Sequence, residues 1–144
     1  MSFHLLIMIL HVLGAGLLLG IVILSVLAVI KPPVTKQAMD RLHFISRYGV
    51  WGSAWQFLTG VVLYYQDRAE LNHQPIFWVK LGLYVIEGIL ASTLLQRQSK
   101  AMAQATASGQ TAPGNNFRLT LWIHAGLIIA IAVLGVWLVS GGHE

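Results

Sequence analysis

The chain has 144 residues, of which 56% are apolar and only 10% charged. Soluble domains run at roughly 45–50% apolar and about 25% charged, so a water-covered globule and intrinsic disorder are both excluded. No cysteine is present, which removes disulfides, iron–sulfur clusters and thiolate metal sites.

The first apolar run covers residues 5–30. It is long enough to cross a hydrocarbon core of ~30 Å as a helix. The four residues before it carry no Lys or Arg, and the run exceeds a secretory-signal core. It is therefore expected to remain in the protein, although Val26-Leu27-Ala28 would make a passable cleavage triplet. Lys31-Pro32-Pro33 is expected to end this helix. The connection 31–47 carries Lys31, Lys36, Arg41 and Arg47 against Asp40. A second run covers 48–65, followed by a short connection 66–75 with Asp67, Arg68 and Glu70. A third covers 76–95. The stretch after it carries Arg97, Lys100 and Arg118 and no acid. Its middle, 101–116, is rich in Ala, Gln, Ser, Thr and Gly and reads as a frayed helix end and a mobile loop. The fourth run covers 119–139.

None of these runs shows the ten-residue alternation of a barrel strand. The expected architecture is all-α: one transmembrane domain over 1–144, a four-helix bundle of up-down topology. Positive residues favour the cytoplasm. Both basic connections lie on one side, which predicts periplasmic termini in a bacterial-type inner membrane. Gly16 and Gly20 form a GxxxG pair, and Gly49, Gly52, Ser53, Gly60, Gly82, Gly88 and Ala91 add further small residues for close helix approach. Tyr48, Trp51, Tyr64, Tyr65, Trp78 and Trp122 fall near span ends, as an aromatic belt does.

Ionisable groups inside a membrane are costly unless paired or bound, and each is a functional candidate. Here they are His11, Lys80, Glu87 and His124, with Arg47 at a helix start. Helical rise places His11 about 10 Å and Lys80 about 9 Å to the outer side of the midplane and His124 about 7 Å to the inner side. His11 and Lys80 are thus level and can share a site, whereas one axial metal between His11 and His124 is disfavoured. His4, Met8 and His11 share a face of the first helix; Lys80, Tyr84, Glu87 and Ala91 share one of the third. Facing stripes of this kind predict a polar seam inside the bundle. Glu87, near the midplane, is expected to be protonated or paired, with a proton relay as one role. His124 is expected either to hydrogen-bond in the core or to join Arg47 and His43 in an inner site. His73 is expected to be solvated.

Leu10-His11-Val12-Leu13-Gly14-Ala15 with Gly20, Arg47, Leu58-Thr59-Gly60, and Phe77-Trp78-Val79-Lys80-Leu81-Gly82-Leu83 resemble a superfamily of small four-helix membrane proteins. It includes the copper-resistance D-type proteins and the heme-containing protoporphyrinogen IX oxidases. Gly16 to Gly20 holds no tryptophan where the oxidases carry one, and Ile86-Glu87 stands near their third-helix Tyr-His, so the resemblance is to an uncharacterised branch. The resemblance implies heme b on His11 and Lys80, with Trp78 and Tyr84 against the macrocycle, in electron transfer or porphyrin oxidation. Lys80 would ligate only as the free amine. His4, Met8 and His11 offer imidazole and thioether to Cu(I), an alternative cofactor. A structural subunit without cofactor, in a homo-oligomer or larger membrane complex, is the other alternative. The chain lacks GxSxG, GxxxxGK[ST] and HExxH motifs. The basic connections lack the aromatic interleaving of nucleic-acid binders.

Overall fold

The computed structural model describes residues 2–31, 34–110 and 115–140. The described residues are helical throughout apart from short connections. They form α1 (Phe3–Val29), α2 (Lys36–Leu71), α3 (Pro75–Leu90), a π-helical turn (Ala91–Leu95), α4 (Gln96–Ala107) and α5 (Asn115–Ser140). Three helices are long and apolar enough to cross a membrane: Phe3–Val29, the continuous α3–α4 helix Pro75–Ala107, and Asn115–Leu138.

Local chemistry explains the helix starts. The Ser2 hydroxyl accepts from the Leu5 N–H at 3.3 Å. The Thr35 hydroxyl accepts from the Ala38 N–H at 3.2 Å. Pro75 opens α3, where its missing N–H costs nothing. Pro32 and Pro33, expected to end α1, lie outside the described residues.

The helices outrun their apolar stretches. α2 begins at Lys36, so most of the basic segment expected as a connection is helix. At 36 residues α2 is about 54 Å long. It leaves helical geometry once, at Asp67 (φ −114°, ψ 18°). The third run continues as helix to Ala107, so the first seven residues of the expected mobile loop are α4. Residues 111–114 lie outside the described residues. Period and composition mark where a helix is apolar; they do not mark where a capped polar extension stops.

α1 packs along α2 and α5, α3 packs along α5, and α4 packs on the first turns of α2. Neighbouring spans run antiparallel. Partners on α2 fall in number as those on α1 rise: His4 meets Gln66, His11 meets Thr59, and Leu18 faces Gly52. Seven of the nine Lys and Arg residues (Lys31, Lys36, Arg41, Arg47, Arg97, Lys100 and Arg118) fall at one end, called the basic end below. The start of α1 and the α2–α3 connection form the far end.

Two halves of the bundle differ. The apolar core lies toward the basic end, where Val22, Val26 and Val29 of α1 meet Met39 and Leu42 of α2, Met102 of α4, and Phe117, Leu121 and Ala125 of α5. The polar extensions of α2 and α4 act as its lid, held by the Ser99–His43 contact at 3.3 Å. Outward faces stay apolar: Leu17 is 68% exposed, Trp51 77% and Val136 68%, a surface suited to lipid and not to water.

The close helix approach is made by different glycines from those of the GxxxG pair. A Cβ on Gly14 would lie 2.7 Å from Gln56 Oε1 and 2.8 Å from Trp55 Cδ1, and one on Gly52 would lie 2.8 Å from Leu18 Cδ2. Gly16, Gly20, Gly82 and Gly88 have nothing within 4 Å of an added Cβ. The GxxxG spacing is present, but the α1–α2 seam runs one face over, through Gly14.

Candidate functional site

The first half of the site is built on α1 and α2 around His11. The Gln56 Nε2–H lies 3.0 Å from His11 Nε2, and His11 Nδ1 lies 2.8 Å from Thr59 Oγ1. Thr59 is buried and donates its own hydroxyl to the Trp55 carbonyl at 2.9 Å. One tautomer satisfies every contact: a neutral imidazole carrying its proton on Nδ1, with Nε2 accepting from Gln56. Trp55 Nε1–H donates to the Leu10 carbonyl at 3.2 Å, locking α2 to α1 one residue before His11. Gly60 completes the cradle, since a Cβ there would lie 3.3 Å from His11 Cε1. One acceptor is left over: Gln56 Oε1 is buried with no hydrogen-bond partner.

The second half lies on α3 and α5. Lys80 lies within electrostatic range of His11, as their equal depth requires, and its Nζ packs on Gly135 of α5. One turn further along α3, the Tyr84 hydroxyl donates to the Ser53 carbonyl of α2 at 3.0 Å, a tie across the bundle. Glu87 is buried and follows Tyr84 on the same face. Its Oε1 lies 3.0 Å from His124 Nδ1 on α5, with side-chain exposures of 8% and 13%. The geometry does not make it a well-formed hydrogen bond, so it is a close polar contact. The π turn begins four residues after Glu87, and the Ser92 and Thr93 hydroxyls donate to the Ile89 carbonyl within it. Such turns recur beside functional residues.

These groups lie in sequence along the bundle, but the α1 and α3 stripes do not face each other as expected: His11 turns to α2 and Glu87 to α5. The seam begins at the far end, where His4 Nδ1 meets Gln66 Oε1 at 3.0 Å and Asp67 lies 3.7 Å away. His11 is seven residues deeper along α1, about 10 Å, and Lys80 to Glu87 covers a further ~10 Å along α3. Beyond Glu87 and His124 the apolar core closes the basic end.

Other candidates are placed elsewhere. Trp78 is half-exposed and donates to the Asn72 carbonyl at 3.3 Å, while Phe77 beside it stacks on Tyr64. That cluster anchors the α2–α3 connection. Arg47 is exposed on α2, and His43 faces Ser99, so neither joins His124. His73 is exposed, as expected. His4 and His11 turn to different partners two turns apart. Among the described residues no three His, Asp or Glu side chains converge on a metal-sized site. Both ring nitrogens of His11 are engaged, by Thr59 and Gln56.

Gln56, Thr59 and Ser53 were not among the sequence candidates, and two of them leave a signal. Gln56 is the one amide side chain in the 48–65 run, and Thr59 follows it by nearly one turn. The Glu87–His124 pairing is compatible with the expected depths but does not follow from them, since it depends on α5 lying beside α3. The two depths differ by only about 7 Å, within reach of two long side chains on adjacent antiparallel helices.

One family model, described as a predicted membrane protein, matches residues 3–142. No curated protein and no solved structure matches the chain.

Proposed function

The chain belongs to that family of predicted membrane proteins, DUF2214, and from its buried polar groups we propose that it transfers protons along a seam inside the bilayer. The buried Glu87–His124 contact carries this reading. A carboxyl and an imidazole 3.0 Å apart at membrane depth form a proton donor–acceptor pair. Groups of this kind mark proton relays because hydrocarbon solvates no isolated charge.

The rest of the seam supplies the approach. His4 and Asp67 stand at the far end, and His11, Lys80 and Tyr84 lead inward. The orphaned Gln56 Oε1 fits the same role. A proton arriving on His11 Nε2 would face the Gln56 amide nitrogen, and rotation of that amide would present Oε1 instead. The buried acceptor then gains a donor, so the site accommodates both states of His11. The core of Val22, Val26, Met39, Phe117 and Leu121 closes the basic end in this packing, so the seam is not an open pore. In this reading α2 is the fourth span, the membrane is a bacterial-type inner membrane, and the far end faces the periplasm under the positive-inside rule.

Proton uptake into vesicles containing the purified chain, driven by a potassium diffusion potential, tests this. Uptake above empty vesicles is expected, with at least about a tenfold loss in Glu87→Gln, which keeps the shape and removes the titrating group. Uptake equal to that of empty vesicles, or unaffected by Glu87→Gln, would refute the reading. Heme b on His11 and Lys80, and with it an oxidoreductase role, rests on the nearness of those two side chains and requires Gln56 to leave His11. A Soret band lost in His11→Ala would establish heme in its place, and bound copper in a colourless protein would point to the copper alternative.

A further inference from the structure

A second site lies at the basic end, on the membrane-facing side of α1 and α5. There a recess of about 380 Å³ opens between the last turn of α1 and the first turns of α5. Its floor rests on the buried Val26 and Val29, its accessible wall is apolar, formed by Ile30, Leu119 and Trp122, and its rim is polar, formed by Asn115 and Arg118. Arg118 Nη1–H donates to the Ile30 carbonyl at 3.3 Å, and Nη2–H donates to Asn115 Oδ1. These bonds tie the guanidinium across the mouth of the recess. The start of α5 contributes backbone N–H groups that favour an anion, and its first turn holds no acidic residue.

The surroundings have the matching charge. Lys31 follows Ile30 directly and is exposed. Segments 31–47 and 96–118 carry seven basic residues against the single acid Asp40. Trp122 is 55% exposed one turn deeper, a depth marker for the headgroup boundary. We infer that this recess binds one anionic phospholipid, with its phosphate at Arg118 and an acyl chain along Ile30, Leu119 and Trp122. Guanidinium geometry suits phosphate oxygens, and a zwitterionic lipid would bring its own cation to an already basic rim. This site is separate from the polar seam and does not rest on proton transfer.

The test is thermal unfolding of the chain in neutral detergent with phosphatidylglycerol, phosphatidylcholine or inorganic phosphate added. Native mass spectrometry of the unaltered protein would count retained lipid in parallel. One phosphatidylglycerol is expected to be retained about tenfold more tightly than phosphatidylcholine. Arg118→Gln should abolish that preference. Arg97→Gln, at the same end but outside the recess, should keep it. Equal retention of the two lipids, the preference surviving in Arg118→Gln, or full stabilisation by inorganic phosphate alone would overturn the inference. The mass measurement holds even if Arg118→Gln fails to fold.

Discussion

Glu87→Leu alone is expected to destabilise the folded protein by about 3–5 kcal/mol, because it leaves His124 facing a low-dielectric interior without its partner. His124→Leu should cost a similar amount for the same reason. The double variant Glu87→Leu/His124→Leu should recover most of the loss. Two well-packed leucines replace two groups whose desolvation the contact only partly offsets. Equilibrium unfolding in mixed detergents reads all four corners of this cycle. The imperfect geometry strengthens the expectation, since such a contact contributes less to folding than an ideal one. Proton uptake should stay lost in the refolded double variant. Stability would thus return without function, which separates a transfer pair from a structural one. Two single losses that simply add would mean that the groups do not interact.

The second large effect is expected at His11. Thr59→Val removes the acceptor for the imidazole Nδ1–H and leaves a buried donor unmatched, at a cost of about 1–3 kcal/mol. Gln56→Leu should cost less. It removes the donor to Nε2 and, with it, the buried Oε1 that has no partner. The two variants touch the same ring and differ in what they leave behind. Thermal unfolding checks the order; an equal or reversed order would contradict the tautomer assigned to His11.

How much of this was legible in the sequence follows from particular residues. Long apolar runs on a chain with so few charges permit little besides membrane helices, so fold class and approximate helix positions were readable. The polar stripe of α3 was readable too, since helical spacing places Lys80, Tyr84 and Glu87 on one face. Pairing between helices was the harder part. It depends on which helices adjoin, and nothing local shows that α5 packs on both α1 and α3. The sequence therefore leaves His124 either a core hydrogen bond or an inner site with His43 and Arg47, and its partner in the fold is Glu87 on α3. The GxxxG spacing of Gly16 and Gly20 misdirected attention in the same way. Spacing shows that a face is smooth, and only the fold shows what approaches it. Gln56 and Thr59 were overlooked because they do not titrate, although they hold the residue that does.

Proton transfer through the seam requires that protons reach His124 from water. The most direct measurement is nitrogen-15 NMR of histidine-labelled protein in bilayers, transferred into D2O. The His124 ring proton is expected to exchange within seconds in the unaltered chain, and to slow by at least about tenfold in Tyr84→Phe, which removes the hydroxyl that lies between Lys80 and Glu87 along α3 and bonds to the Ser53 carbonyl. A ring proton that persists for hours in the folded, unaltered protein would place the pair in a sealed core and contradict proton transfer.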